Sequence, residues 1–156
     1  MKILVLNPPF KPRFSRTSRS PAVSKGGCVY YPIWLAYATG VLEKEGHKVK
    51  LLDAPAENKT VKEVVEIARK FKPELAIIDT STPSIINDIE VASELKNATN
   101  CFVCLVGTHV SALPEWTLKQ SQSIDAVARH EYDYIVRDLA SELEKKIPKV
   151  MKILIK

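Results

Sequence analysis

The chain has 156 residues, 46% hydrophobic and 26% charged, the size and balance of one soluble globular domain. Its net charge of +5 is unevenly placed: Lys11, Arg13, Arg16, Arg19 and Lys25 fall in a long loop, residues 8–32, Lys145, Lys146, Lys149, Lys152 and Lys156 lie at the end, and all 18 acids are in residues 33–144. A basic loop and tail are not a basic face, which argues against specific nucleic-acid binding.

The apolar runs 75–78 and 102–106 are too short to cross a bilayer, and Met1-Lys2-Ile3-Leu4-Val5-Leu6 lacks a signal-peptide pattern, so the expectation is a cytoplasmic protein with no membrane partner. Three cysteines do not suggest a disulfide framework there. Cys101 and Cys104 form a C-x-x-C, but inside a strand-like run, where residues three apart point to opposite faces. They read as small core residues rather than a metal or redox pair.

Residues 3–6 are a continuous aliphatic run suited to a central strand. Residues 10–30 combine cations, serines and glycines with little to bury, and are expected to be poorly ordered without ligand. Residues 33–45 read as a helix with Leu35, Ala38 and Leu42 inward, stopped by Gly46. Residues 48–52 alternate as an edge strand. Thr60 caps the next helix, with Glu63 placed for a capping box.

Residues 75–79 form a buried strand. Thr82 then caps, and Pro83 opens, a helix with Ile85, Ile86, Ile89, Ala92 and Leu95 inward. Residues 102–106 form another buried strand, followed by a short helix from Pro114, a short strand at 124–128 and a helix at 132–145. Residues 150–155 are one more strand or the start of something further. This predicts a three-layer α/β domain over residues 1–145, with a flavodoxin-like or Rossmann-like open parallel sheet of about five strands and helices on both faces. Residues 146–156 read as a basic tail or the start of another domain. Such a sheet holds ligands beyond the carboxyl ends of its strands, where the strand order reverses.

Asn7-Pro8-Pro9 follows the first strand and offers no glycine-rich turn for a pyrophosphate, which weakens a ribose role for Asp53 after the second. The third strand leads into Thr80-Ser81-Thr82-Pro83-Ser84, a row of hydroxyls at a helix start, suited to a polar ligand or to capping. The fourth leads into Gly107-Thr108-His109-Val110-Ser111, where a glycine allows close approach of a large ligand and a β-carbon would enter the ligand's space. The third and fourth loops are expected to wall one pocket. Arg129-His130-Glu131-Tyr132 follows the fifth. A metal site from His109, His130 and Glu131 is conceivable, but their spacing does not establish one. No nucleophile elbow or paired-carboxylate set appears, so a binding module is the better class than a catalyst.

Taken in order, Asn7-Pro8-Pro9, Tyr31-Pro32 entering Ile33-Trp34-Leu35-Ala36-Tyr37, the stretch from Leu42 to Val49, Asp53-Ala54, Lys72-Pro73-Glu74-Leu75, Ser81-Thr82-Pro83 and the stretch from Gly107 to Glu115 resemble the N-terminal cobalamin-binding domain of cobalamin-dependent radical S-adenosylmethionine enzymes. The resemblance runs from residue 2 to about residue 143. It implies a cobalamin across the strand ends: Ser81, Thr82 and Pro83 would line its nucleotide-tail pocket, and Gly107, Thr108 and His109 would approach the tail or corrin. Asn7, Pro8, Pro9 and Glu131 would complete the rim, with Val110, Ser111 and His130 on the same loops.

The D-x-H-x-x-G motif that puts a histidine on cobalt is absent, as is usual in that family. The fourth loop has one glycine where two are common, with Thr108 in place of proline, and the fifth has His130-Glu131 for glycine-glutamate. The C-x-x-x-C-x-x-C of an iron–sulfur cluster is missing. The resemblance therefore implies a cobalamin module, not catalytic alone, that works with a radical-generating domain or subunit in methyl transfer or related chemistry. A flavodoxin-like nucleotide or small-molecule module, or a regulatory interaction domain without a corrin, stays open beside it.

Overall fold

The computed structural model describes residues 1–17, 21–24, 26, 28–145 and 153–155. In chain order the elements are β1 (Lys2–Asn7), a small hairpin of β2 (Phe14–Ser15) and β3 (Ala22–Val23), α1 (Ile33–Lys44), β4 (Lys48–Asp53), α2 (Val61–Phe71), β5 (Leu75–Thr80), α3 (Ile85–Thr99), β6 (Phe102–Gly107), α4 (Thr108–Ala112), α5 (Pro114–Gln120), β7 (Ala126–Ala128), α6 (Asp133–Glu144) and β8 (Ile153–Ile155). The main sheet is parallel, in the order β4-β1-β5-β6-β7-β8. The expected α/β class holds, and β8 adds a short sixth strand beside β7. The rest of the predicted tail, 146–152 and 156, lies outside the described residues.

Alternate strand residues supply two cores, one on each face of the sheet. Leu4, Leu6, Ala76, Ile78, Val103 and Leu105 pack with α2 and α3. Ile3, Val5, Leu75, Ile77, Cys104 and Val106 pack with α1 and α6. Both faces are covered, which is why these strands read as unbroken aliphatic runs. Cys101 and Cys104 fall in opposite cores, as strand geometry required.

Local signals hold in detail. Gly46 ends α1 at φ +86°. Thr60 accepts from the Glu63 amide while the Glu63 carboxylate accepts from the Thr60 amide, closing the capping box of α2.

Three expectations need correction. The turn after β5 is a single 3₁₀ turn over Thr82–Ser84, so α3 begins only at Ile85, and Ser81 stands where Thr82 was expected to cap. Ile86 is 59% exposed, whereas Asp88 is fully buried on the inward face of α3. Residues 108–112 are helical rather than a loop, and Val110 belongs to the α2/α3 core.

The long loop is also more structured than its composition suggests. Phe14, Ser15 and Arg16 are buried, β2 pairs with β3, and Phe10 meets Phe14 edge to face at 4.9 Å. Residues 18–20, 25 and 27 of that loop lie outside the described residues.

Candidate functional site

The chain runs outward from β1 to β4, then crosses to β5 and continues to β6 and β7 on the other side. The strand order therefore reverses between β1 and β5, and a crevice is expected beyond their carboxyl ends. The residues that end these strands, Asn7, Asp53, Asp79 and Thr80, are joined there by the start of α3 and by α4.

Asn7 is buried at the tip of β1, and its Nδ2 donates to Asp53 Oδ1 at 2.8 Å across to β4. Burial, opposed by that hydrogen bond, raises the Asp53 carboxyl above its ordinary range. The other side of Asn7 meets a residue the sequence did not single out. Arg16 Nη1 donates to Asn7 Oδ1 at 3.0 Å and to the Pro8 carbonyl at 2.7 Å. Its Nη2 donates to Asp88 Oδ1 at 2.5 Å, and the two side chains of this ion pair are 1% and 0% exposed.

Asp88 anchors a second chain of contacts. Ser84 Oγ donates to Asp88 Oδ2 at 2.6 Å, which leaves the Ser81 hydroxyl to donate to Ser84 Oγ at 2.8 Å. Asn87 Nδ2 donates to the Pro9 carbonyl at 2.8 Å, tying α3 to the start of the long loop. The predicted hydroxyl row is thus present, but two of its members are engaged in holding Asp88. Thr80 Oγ1 donates to the Val106 carbonyl, locking β5 to β6, and Thr82 and Pro83 are exposed on the rim.

The third and fourth loops meet directly. His109 Nδ1 and Thr82 Oγ1 are 3.2 Å apart, and the imidazole is edge-on to Trp116 at 5.4 Å. His109 is only 4% exposed, and burial pulls its pKa down, so the ring is neutral near neutral pH. Its Nε2 and the Nε of Arg16 are buried without a hydrogen-bond partner among the described residues. The expected walls therefore touch instead of facing each other across an open pocket.

Gly107 corrects another expectation. At φ +104° a β-carbon would not enter ligand space but would strike the Thr80 carbonyl oxygen, lying 2.5 Å from Asp79 Oδ1 and 3.0 Å from the Thr80 nitrogen. The glycine is required by the close approach of β6 to the end of β5. Beneath it, burial raises the Asp79 carboxyl to about 7, against the opposing pull of Arg16.

The fifth loop is tied to α4. His130, at φ +59°, and Glu131 are exposed, and Ser111 Oγ accepts from the His130 amide at 2.8 Å while donating to the Gly107 carbonyl. Thr108 is exposed on the rim and Pro8 and Pro9 are buried under the loop. Among the described residues no group of three His, Cys, Asp or Glu side chains could hold a metal ion, so the conceivable His109–His130–Glu131 site does not form.

Arg16 and Asp88 form a buried ion pair at this edge that sequence reasoning does not single out. One signal was available: position 88 falls on the inward stripe with Ile85, Ile89, Ala92 and Leu95, and an acid there demands a buried partner.

Comparison with known proteins agrees with this architecture. The model of the B12 binding domain matches residues 19–140. An uncharacterized methyltransferase of Pyrococcus horikoshii, PH0819, is 33% identical over 146 residues, covering 93% of this chain but 30% of that protein. The anaerobic magnesium-protoporphyrin IX monomethyl ester cyclase of Cereibacter sphaeroides is 26% identical over 117 residues, 72% of this chain and 19% of the cyclase.

Among solved structures, the radical S-adenosylmethionine methyltransferase TsrM of Kitasatospora setae, with cobalamin and a 4Fe–4S cluster bound, superposes with a TM-score of 0.72 at 19% identity, over 92% of this chain and 26% of TsrM. The cobalamin-dependent radical enzyme OxsB, with aqua-cobalamin bound, gives 0.69 at 15% identity, over 94% of this chain and 19% of OxsB. The chain thus spans under a third of the proteins it matches. With the family model covering most of its length, the chain belongs to the B12-binding domain family and resembles the cobalamin-carrying part of radical S-adenosylmethionine enzymes.

Proposed function

We propose that the chain holds cobalamin over the carboxyl edge of its sheet and presents it to a radical-generating domain or subunit, for methyl transfer or related chemistry. The family match over residues 19–140 carries this reading. The residues present suit the cofactor. The edge is rich in hydroxyl, amide and carboxyl groups, and the buried His109 Nε2 has no partner there among the described residues. A bulky ligand with many amide groups can supply such a partner.

Cobalamin would bring its own cobalt and with it the capacity to carry a one-carbon group. The chain's own residues bind and orient. Ser81, Thr82 and Pro83 at the head of α3, and Thr108, His109 and Ser111 at the head of α4, line the approach to the crevice. Asn7, Pro8 and Pro9 form its β1 border, and His130 and Glu131 its outer rim. Val110 supports α4 from the core, and Gly107 sets how closely β6 approaches β5. The sequence carries no C-x-x-x-C-x-x-C, so these residues do not assemble the cluster that starts radical chemistry.

The test is direct. Purified chain mixed with hydroxocobalamin and passed through a desalting column should retain corrin absorbance near one equivalent. Elution of the corrin in the salt volume, at micromolar protein, would remove the proposal.

A further inference from the structure

The long loop between β1 and α1 does not merely pass the crevice; it sends the Arg16 side chain to the tip of β1 and to α3. Phe14 is 2% exposed and Arg16 5%, although both belong to a segment whose composition offers little to bury. The guanidinium stacks near the rings of Phe10 and Phe14, at 6.0 and 5.4 Å, and reaches Asn7 and Pro8 at the tip of β1 and Asp88 on α3. β1 and the segment leading from β5 into α3 are the two borders of the point where strand order reverses. Arg16 therefore spans the place where a doubly wound sheet receives its ligand.

The closure is costly to keep. Burying a guanidinium and a carboxylate forfeits several kcal/mol of hydration per ion, offset only when every polar atom is well bonded. Here Arg16 Nε has no hydrogen-bond partner among the described residues. Contacts that hold the strap outside the crevice, among the described residues, include the Phe14–Val23 and Ser15–Ala22 pairs of the hairpin, the Phe14 amide on the Lys11 carbonyl, the Ser24 amide on the Arg13 carbonyl and the Tyr30 amide on Ser15 Oγ. A ligand with greater affinity for the open edge can tip such an equilibrium, because a bound state is favoured by its differential affinity alone.

We propose that residues Phe14–Arg16 form a displaceable plug, in which Arg16 occupies the cofactor crevice of the free chain and leaves Asp88 when cobalamin enters. The inference rests on the cobalamin reading above. It predicts that a cofactor-free domain closes its own binding edge, keeping Asp88 and the hydroxyls behind it from water until the ligand arrives.

Limited trypsinolysis with mass-spectrometric readout, run beside corrin absorbance, tests it. In the free chain the bond after exposed Arg13 should be cut at least tenfold faster than the bond after Arg16. With hydroxocobalamin bound, cleavage after Arg16 should rise tenfold or more while the core peptides stay intact. Asp88→Asn, which removes the charge that retains Arg16 but keeps a partner for Ser84, should speed cobalamin uptake about tenfold. Arg16→Met tests the same opening should Asp88→Asn fail to fold. Corrin uptake with Arg16 still protected overturns the plug and leaves the cobalamin reading standing. Uptake by the parent that the opened variants speed supports it, whereas uptake by the variants but not the parent overturns it, because cobalamin then does not displace Arg16. No corrin on the parent or on either variant overturns both.

Discussion

Gly107 lies against the end of β5 so closely that a β-carbon on it would collide with the Thr80 carbonyl oxygen and sit 2.5 Å from the Asp79 carboxylate. Positive φ and backbone contact act together, so Gly107→Ala should destabilise the fold by about 3 kcal/mol or more. Urea unfolding followed by circular dichroism measures this. A change within a few tenths of a kcal/mol of the parent would show that β6 can retreat from β5.

Asp79 itself should leave a trace in the pH dependence of stability. Its carboxyl rises from 3.8 to about 7 on folding because it is buried. Folding thus takes up a proton between those values, so this group's contribution is most favourable below 3.8 and is lost as pH rises through about 7. Asp79→Asn keeps an acceptor for the Thr80 amide and has no charge to bury. Relative to the parent, its melting temperature should be higher by several degrees above pH 7, with a flatter slope between 3.8 and 7. Parallel curves for the two proteins would contradict the burial argument.

The thiols should divide sharply. Cys28 is exposed, whereas Cys101 and Cys104 are buried, and burial raises both, Cys104 to about 12. Iodoacetamide at neutral pH should label one thiol per native chain and all three after denaturation. Rapid native labelling of Cys104, or a Cys101–Cys104 disulfide in the folded protein, would be incompatible with their placement on opposite faces.

Thr60→Ala removes one half of the α2 capping box. The expected loss is about 1 kcal/mol, read as a lower melting temperature with unchanged helix content. Glu63→Gln should lose less, since an amide oxygen can still accept from the Thr60 amide.

What the sequence made legible was local. Aliphatic runs named β1, β5 and β6, Gly46 named a helix end, and Thr60 with Glu63 named a helix start, because each signal is read within one turn or one strand. The Arg16–Asp88 pair joins residues 72 apart. Arg16 stands among serines and other cations, as a solvated loop residue would, and Ile86 looks more inward than Asp88 by hydrophobicity alone. Only the helical period, set against residue type, distinguishes them. The direct contact of Thr82 with His109, and the helical turn over residues 108–112, depend on how closely β6 can approach β5. That distance is fixed by tertiary packing, which a pattern of residues does not encode in any short window.

The central place of β1 has a consequence for how the chain is made. Ile3, Val5 and Leu6 find their neighbours only at Val49, Leu51 and Leu52 on one side and at Leu75, Ile77 and Ile78 on the other. A ribosome adding roughly 5–20 residues per second leaves this apolar strand without either border for seconds, and a parallel partner cannot be supplied by a hairpin in the meantime. β1 is thus made well before either of its neighbours, so the nascent chain passes through an interval in which this apolar stretch is open to chaperones and to other chains alike.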